Sequence, residues 1–126
     1  MRTFAKTLAE VDSYLNLKAG WFPTLSVDSP EAIAPTRKTI EVIKEFLKLL
    51  EKENISAPQP MLTSSGEASL YWKLNEDYIE IGFEDHLSYT YLTMTPAKIA
   101  GVDDVPVNGK IHPDLLEDLK TFFPKK

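Results

Sequence analysis

The side chains best suited to chemistry are Glu84, Asp85 and His86, three consecutive residues that could bind a metal ion or transfer protons. Neighbouring residues of a strand point to opposite faces of the sheet, so the three converge on one ion only if a turn bends the chain there. A histidine in a polar turn is the simpler interpretation. A small metal-dependent hydrolase centred on these residues is the alternative.

Other short motifs that can indicate a catalytic or ligand-binding site lack the residue spacing that their chemistry requires. Asp103-Asp104 lacks the alternating acids and closing glutamate of a calcium loop, and Ser64-Ser65-Gly66 is not a nucleophile elbow. There is no cysteine, and the five glycines form no phosphate-binding loop. His112, which precedes a proline, is typical of a helix start. The sequence therefore predicts no catalytic residue, no cofactor and no metal site, and favours a protein that is not an enzyme.

Charge is distributed unevenly along the chain. Residues 1–60 carry eight bases and eight acids, whereas residues 74–109 carry seven acids and one base, a net charge of −6 in that segment. Such a field repels phosphate backbones and attracts cationic surfaces. We expect no direct binding to nucleic acid and a basic protein as the partner.

Tyrosines are interleaved with these acids, and tyrosine combines a large contact area with a polar tip. The candidate partner-binding residues are Tyr71, Tyr78, Glu80, Glu84, Asp85, Asp103 and Asp104. Tyr89 and Tyr91 could extend this aromatic surface, or could belong to the core. Two other interpretations stay open: the acids could only keep the surface solvated, or the protein could be a homodimer or larger homo-oligomer joined at a strand edge or at Trp21-Phe22.

Helical patterns occupy the first half of the chain. Phe4, Leu8, Val11 and Leu15 recur at helical spacing and predict a first helix that ends near Gly20. A helix start signal follows at residues 28–31, but Pro35 interrupts the helix, so the main helix could instead begin around Pro35. Its apolar row, wide enough to cover a sheet, is Ile40, Ile43, Leu47 and Leu50, with Val42, Phe46 and Leu49 beside it.

Alternating patterns follow the main helix. They predict strands at residues 61–63, 67–74 and 78–83 and a further one at residues 87–92, with an irregular segment from residue 95 to residue 110 and a last helix from Pro113. The predicted fold is a single α+β domain over residues 1–126. Its antiparallel meander has three to four strands and is packed on one face by a long amphipathic helix, with N-terminal and C-terminal helices beside it.

A family resemblance rests on several short motifs in this order. They are Gly20-Trp21, Ser29-Pro30-Glu31-Ala32-Ile33, the helix to Leu50, Pro58-x-Pro60, Gly66, Leu70-x-Trp72 and Tyr78-Ile79-Glu80-Ile81. Together they resemble a family of small uncharacterised proteins of bacteria and their mobile elements. The resemblance implies an α+β fold and a bacterial or mobile-element source, and it brings no activity with it.

The chain shows no pattern of an exported or membrane-spanning protein. Lys6, Glu10 and Asp12 interrupt the apolar residues near its start, and no run of about 18 apolar residues occurs. We therefore expect a cytoplasmic protein that does not bind membranes. The function predicted from these observations is a small acidic interaction protein of the immunity protein, antitoxin or phage inhibitor type.

Overall fold

A computed structural model describes residues 2–17, 34–63 and 66–125 of the protein. These residues form an α+β structure with three α-helices and one antiparallel sheet of five strands. In chain order the elements are α1 (Phe4–Ser13), a short 3₁₀-helix (Tyr14–Asn16), α2 (Arg37–Lys52), β1 (Gln59–Leu62), β2 (Ala68–Leu74), β3 (Asp77–Phe83), β4 (Ser88–Thr95), β5 (Lys98–Pro106) and α3 (Pro113–Phe122).

The first helix begins where a threonine caps it. The side chain of Thr3 accepts a hydrogen bond from the backbone N–H of Lys6, which satisfies one of the free amides at the helix start. α1 buries Phe4 and Val11, two of the residues on its predicted apolar face. The predicted helix end near Gly20 and the start signal at residues 28–31 lie outside the described residues.

The main helix begins after Pro35, as one of the two interpretations of the sequence proposed. Thr36 is the capping residue, and its side-chain oxygen accepts a hydrogen bond from the N–H of Thr39. One stripe of α2 is buried by the other elements, and it consists of Thr39, Ile40, Ile43, Phe46, Leu47 and Leu50.

The strands follow one another in sheet order, β1-β2-β3-β4-β5, and every neighbouring pair is antiparallel. The prediction of three to four strands is therefore wrong, because residues 98–106 of the supposedly irregular segment form β5. β5 pairs with β4 through a two-residue turn at Pro96-Ala97. Asn75 adopts a positive φ of 57° in the turn before β3, a conformation that asparagine tolerates well.

One face of the sheet, which we call the inner face, forms the core with the helices. Its buried residues include Leu70, Trp72, Ile79, Ile81, Phe83, Tyr89 and Tyr91. Phe46 of α2 contacts the rings of Phe83 and Tyr89 edge-on, at centroid distances of 5.6 and 5.2 Å. The Trp72 indole donates a hydrogen bond of 2.7 Å to the carbonyl of Ser56, so its polar atom is satisfied inside the core.

The last helix packs on the inner face beside β4. His112 caps α3 by accepting a hydrogen bond from the N–H of Asp114, which agrees with its interpretation as a helix-start residue. Asp118, which is only 5% exposed, accepts hydrogen bonds from the Thr93 hydroxyl at 2.9 Å and from the Lys98 ammonium at 2.7 Å. Across the described residues, no helix is both long and apolar enough to cross a bilayer.

Candidate functional site

The opposite side of the sheet, which we call the outer face, presents the alternate residues of the same strands. Its middle rows run across the sheet in register, one through Tyr71, Glu80 and Leu92 and the next through Tyr78 and Met94. Phe4 and Val11 of α1 belong to the same buried core as the inner-face residues, Phe46 of α2 contacts Tyr89, and Asp118 of α3 accepts a hydrogen bond from Thr93. The described helices thus pack on the inner side of the sheet. The exposed and half-buried side chains of the outer face form the candidate site.

Two predicted partner-binding tyrosines meet on the outer face. The rings of Tyr71 and Tyr78 stack with their centroids 6.1 Å apart. The Tyr78 hydroxyl donates a hydrogen bond of 2.6 Å to Glu80, and the Tyr71 hydroxyl donates one of 3.2 Å to Gln59. Burial raises the pKa of Tyr78 above its usual range, and the hydrogen bond to Glu80 and the charge of that residue raise it further. Tyr78 is thus a protonated donor that holds the Glu80 carboxylate in place.

Glu67 joins this site although it was absent from the candidates chosen from the sequence. Its carboxylate lies over Gly82, where a Cβ atom would come within 2.6 Å of one of its oxygens. Burial raises the pKa of Glu67, and the charges of Glu84 and then Glu80 raise it further. We call Glu67, Glu80 and Glu84 the acidic cluster. Within the described part of the chain, none of the three forms an ion pair.

Apolar side chains occupy the diagonally opposite part of the outer face. Met94 pairs in register with Ile99, and Leu92 precedes Met94 by two residues on the same strand and face. Ile99 is 78% exposed and Met94 is 43% exposed, which is unusual for side chains of this size. We call Leu92, Met94 and Ile99 the apolar corner. The sequence analysis missed it because the strand that carries Ile99 was expected to be irregular.

Asp85 lies in the turn between β3 and β4 and has a local structural role. One of its carboxylate oxygens accepts hydrogen bonds from the backbone N–H groups of Leu87 at 2.8 Å and Ser88 at 3.2 Å. This is the usual behaviour of an aspartate in a turn. In the described residues, no group of three or more His, Cys, Asp or Glu side chains could hold a metal ion. The metal-dependent alternative at Glu84, Asp85 and His86 thus gains no support from the geometry.

Asp103 and Asp104 lie apart from the tyrosines, on the edge strand β5. The register between β4 and β5 shifts between Tyr89 and Tyr91, and Asp104 has a positive φ of 53° there. The pair thus forms a bulge in an edge strand, a feature that disrupts pairing with a further strand. The structure does not bring these two aspartates together with Tyr71, Tyr78 and Glu80.

The other two tyrosines belong to the core. Tyr89 and Tyr91 are 2% and 3% exposed, so they do not extend the aromatic surface of the outer face. The Tyr89 hydroxyl accepts a hydrogen bond from the backbone N–H of His112, and the ring of Tyr91 lies 5.3 Å from the His112 ring. Their role is to dock the start of α3 on the sheet.

Comparisons of the chain with models of known protein families, with curated proteins and with solved structures find no match in any of the three.

Proposed function

We propose that the protein is a small acidic interaction protein whose outer face binds a basic partner protein, in the manner of an immunity protein, an antitoxin or a phage inhibitor. The observation that carries the proposal is the combination of stacked tyrosines with an acidic cluster on a sheet face that no described helix covers. Aromatic side chains supply contact area, while carboxylates without a cationic partner favour the approach of a basic surface.

The charges of the face favour a basic partner over a second copy of the chain. Lys73 is the one base among the described residues of the outer face, where it pairs in register with Tyr78. Two outer faces brought together would place each acidic cluster against the other cluster or against the apolar corner, and neither of these supplies a positive charge. Like charges brought together at an interface weaken association, so the face favours a partner of the opposite charge.

The sheet edges are less suitable for binding than the outer face. β1 has only four residues and contains Pro60, which has no N–H to donate. Thr63 donates its N–H to Glu67 across the first turn, and by the alternation of an antiparallel ladder Pro60 then faces away from β2. The other edge carries the bulge at Asp103 and Asp104. Both edges thus resist the addition of a strand.

The test is a capture experiment with matched variants of the immobilised protein. One variant combines Glu67→Gln, Glu80→Gln and Glu84→Gln, which removes the charges of the acidic cluster but keeps an acceptor for Tyr78. The control combines Glu41→Gln, Glu45→Gln and Glu51→Gln, three exposed residues of α2. Both variants lose three negative charges, so a general effect of net charge is the same in both.

Lysate of the native host is passed over each protein at low salt, and bound proteins are eluted at high salt and identified. We expect a basic protein that the wild type and the α2 variant retain and that the acidic-cluster variant loses. Equal retention of that protein by all three would contradict a docking role for the outer face.

A further inference from the structure

The outer face is polarised along one diagonal of the sheet. At one end lies the apolar corner, next to the turn between β4 and β5, and at the other end lie Glu67 and Glu84, one residue beyond the last register pair of β2 and β3. Tyr71 and Glu80 lie in the register row of Leu92, and Tyr78 lies in the row of Met94, so the stacked tyrosines flank the apolar corner on the side of β2 and β3. A partner lying along this diagonal therefore contacts apolar groups at one end and carboxylates at the other.

The dimensions of the sheet fix the length of such a partner. The two ends are separated by three strand spacings in one direction and about six residues of strand in the other, or roughly 25 Å in all. An α-helix of about 16 residues has this length. Because both edges resist strand addition, a helix laid on the face is a better fit than a strand added to its side.

On these observations, and resting on the function proposed above, we infer that the outer face binds an amphipathic basic helix of the partner in one orientation. The apolar end of that helix packs on Leu92, Met94 and Ile99. Its lysines and arginines lie at the opposite end, against Glu67 and Glu84. The Tyr71 and Tyr78 rings contact the side of the helix, where they offer apolar contact and where Glu80, which is hydrogen-bonded to Tyr78, suits a guanidinium.

The inference can be tested with synthetic peptides rather than with the unidentified partner. The first probe is a helical peptide of about 16 residues with leucines confined to the first two turns and arginines and lysines confined to the last two. The second has the same composition in scrambled order. We expect the wild-type protein to bind the segregated peptide about tenfold more tightly than the scrambled one.

The orientation of the bound peptide is measured by NMR with a nitroxide label at one end or the other of the segregated peptide. The label broadens the amide signals of the protein residues that lie near it. A label at the basic end should broaden the signals of Ser69 and Gly82, and a label at the apolar end should broaden those of Met94 and Ile99. Ile99→Ser should lower the affinity for the segregated peptide about tenfold and change the affinity for the scrambled peptide by less than about twofold.

The opposite label pattern, or equal affinity for the two peptides, would overturn the inference. The two peptides could bind the wild type with equal affinity and both bind the Glu67→Gln, Glu84→Gln variant less tightly. That result would support charge recognition by the outer face and contradict only the oriented helix. If neither peptide responds to that variant, the proposed function falls with the inference.

Discussion

The two faces of the sheet are built from the same strands but have opposite character. On β3, Ile79, Ile81 and Phe83 are fully buried on the inner face, while Tyr78 and Glu80 alternate with them on the outer face. This alternation follows from the period of two in a strand. It separates the residues that hold the fold together from those to which the proposed function assigns partner binding. Substitutions on the two faces should therefore have separable effects.

The largest effect on stability is expected on the inner face. Phe83→Ala removes a fully buried ring that contacts the rings of Phe46 and Tyr89, and leaves a cavity between β3 and α2. We predict a loss of about 3–5 kcal/mol in the free energy of unfolding, measured by urea denaturation. The comparison variant on the outer face is Tyr71→Ala, for which about 1 kcal/mol is expected. Similar losses for both would contradict the division between the faces.

A smaller loss is expected from the polar contact between the inner face and α3. Asp118→Ala leaves the buried Thr93 hydroxyl without its acceptor, while the more exposed Lys98 can turn to water. We predict a loss of about 2 kcal/mol. The double variant Asp118→Leu, Thr93→Val should recover part of this loss because it removes both partners of the buried bond. A double variant whose loss of stability equals the summed losses of the single variants Asp118→Leu and Thr93→Val would refute this explanation.

Gly82→Ala is the corresponding test on the outer face. The new Cβ atom meets the end of the flexible Glu67 side chain, which can move away, so the free energy of unfolding should change by less than about 1 kcal/mol. The displaced Glu67 carboxyl becomes more exposed, and its raised pKa should fall toward the ordinary value. A titration followed by NMR at the glutamate side-chain carbons measures the shift. An unchanged pKa would show that Gly82 does not control the position of Glu67.

The smallest effect is the pH dependence that Glu67 gives to stability. Its pKa is raised in the folded protein, so between the ordinary and the raised pKa the folded state binds more protons than the unfolded state. Stability should therefore fall as the pH rises through that window. Glu67→Gln should remove this part of the fall and stabilise the protein at pH 7 by less than about 0.5 kcal/mol. Thermal unfolding of the wild type and of Glu67→Gln from pH 4 to pH 7 measures the difference. A stability that falls more steeply with pH in the variant than in the wild type would contradict the prediction.

Much of the fold follows from periodic patterns in the sequence. The buried stripe of α2 and the inward residues of β2 and β3 are placed by periods of 3.6 and two, respectively. β5 could not be recognised in the same way. Most of its residues are exposed because it is an edge strand, and the bulge at Asp103-Asp104 breaks its alternation. Its position is set by pairing with β4, and the alternation of residues within one strand does not reveal such pairing.

The candidate site was predictable to a similar extent. The period of two places Tyr78 and Glu80 on one face and Tyr71 opposite Glu80, so the centre of the outer face follows from the sequence. The approach of Glu67 to Glu84 and Glu80 depends on the register between β2 and β3, which the turn between them fixes. That Asp103 and Asp104 lie elsewhere depends on the bulge in β5. Strand register thus decides which of the many acids act together.

The central claim is that the outer face, and not negative charge in general, recruits the basic partner. The direct measurement is the association rate of that partner with the wild type, the acidic-cluster variant and the α2 variant, at low and high salt. We predict that the acidic-cluster variant associates about tenfold more slowly at low salt and loses most of its salt dependence, while the α2 variant stays within about twofold of the wild type. Equal slowing in the two variants, or no slowing in either, would contradict the account.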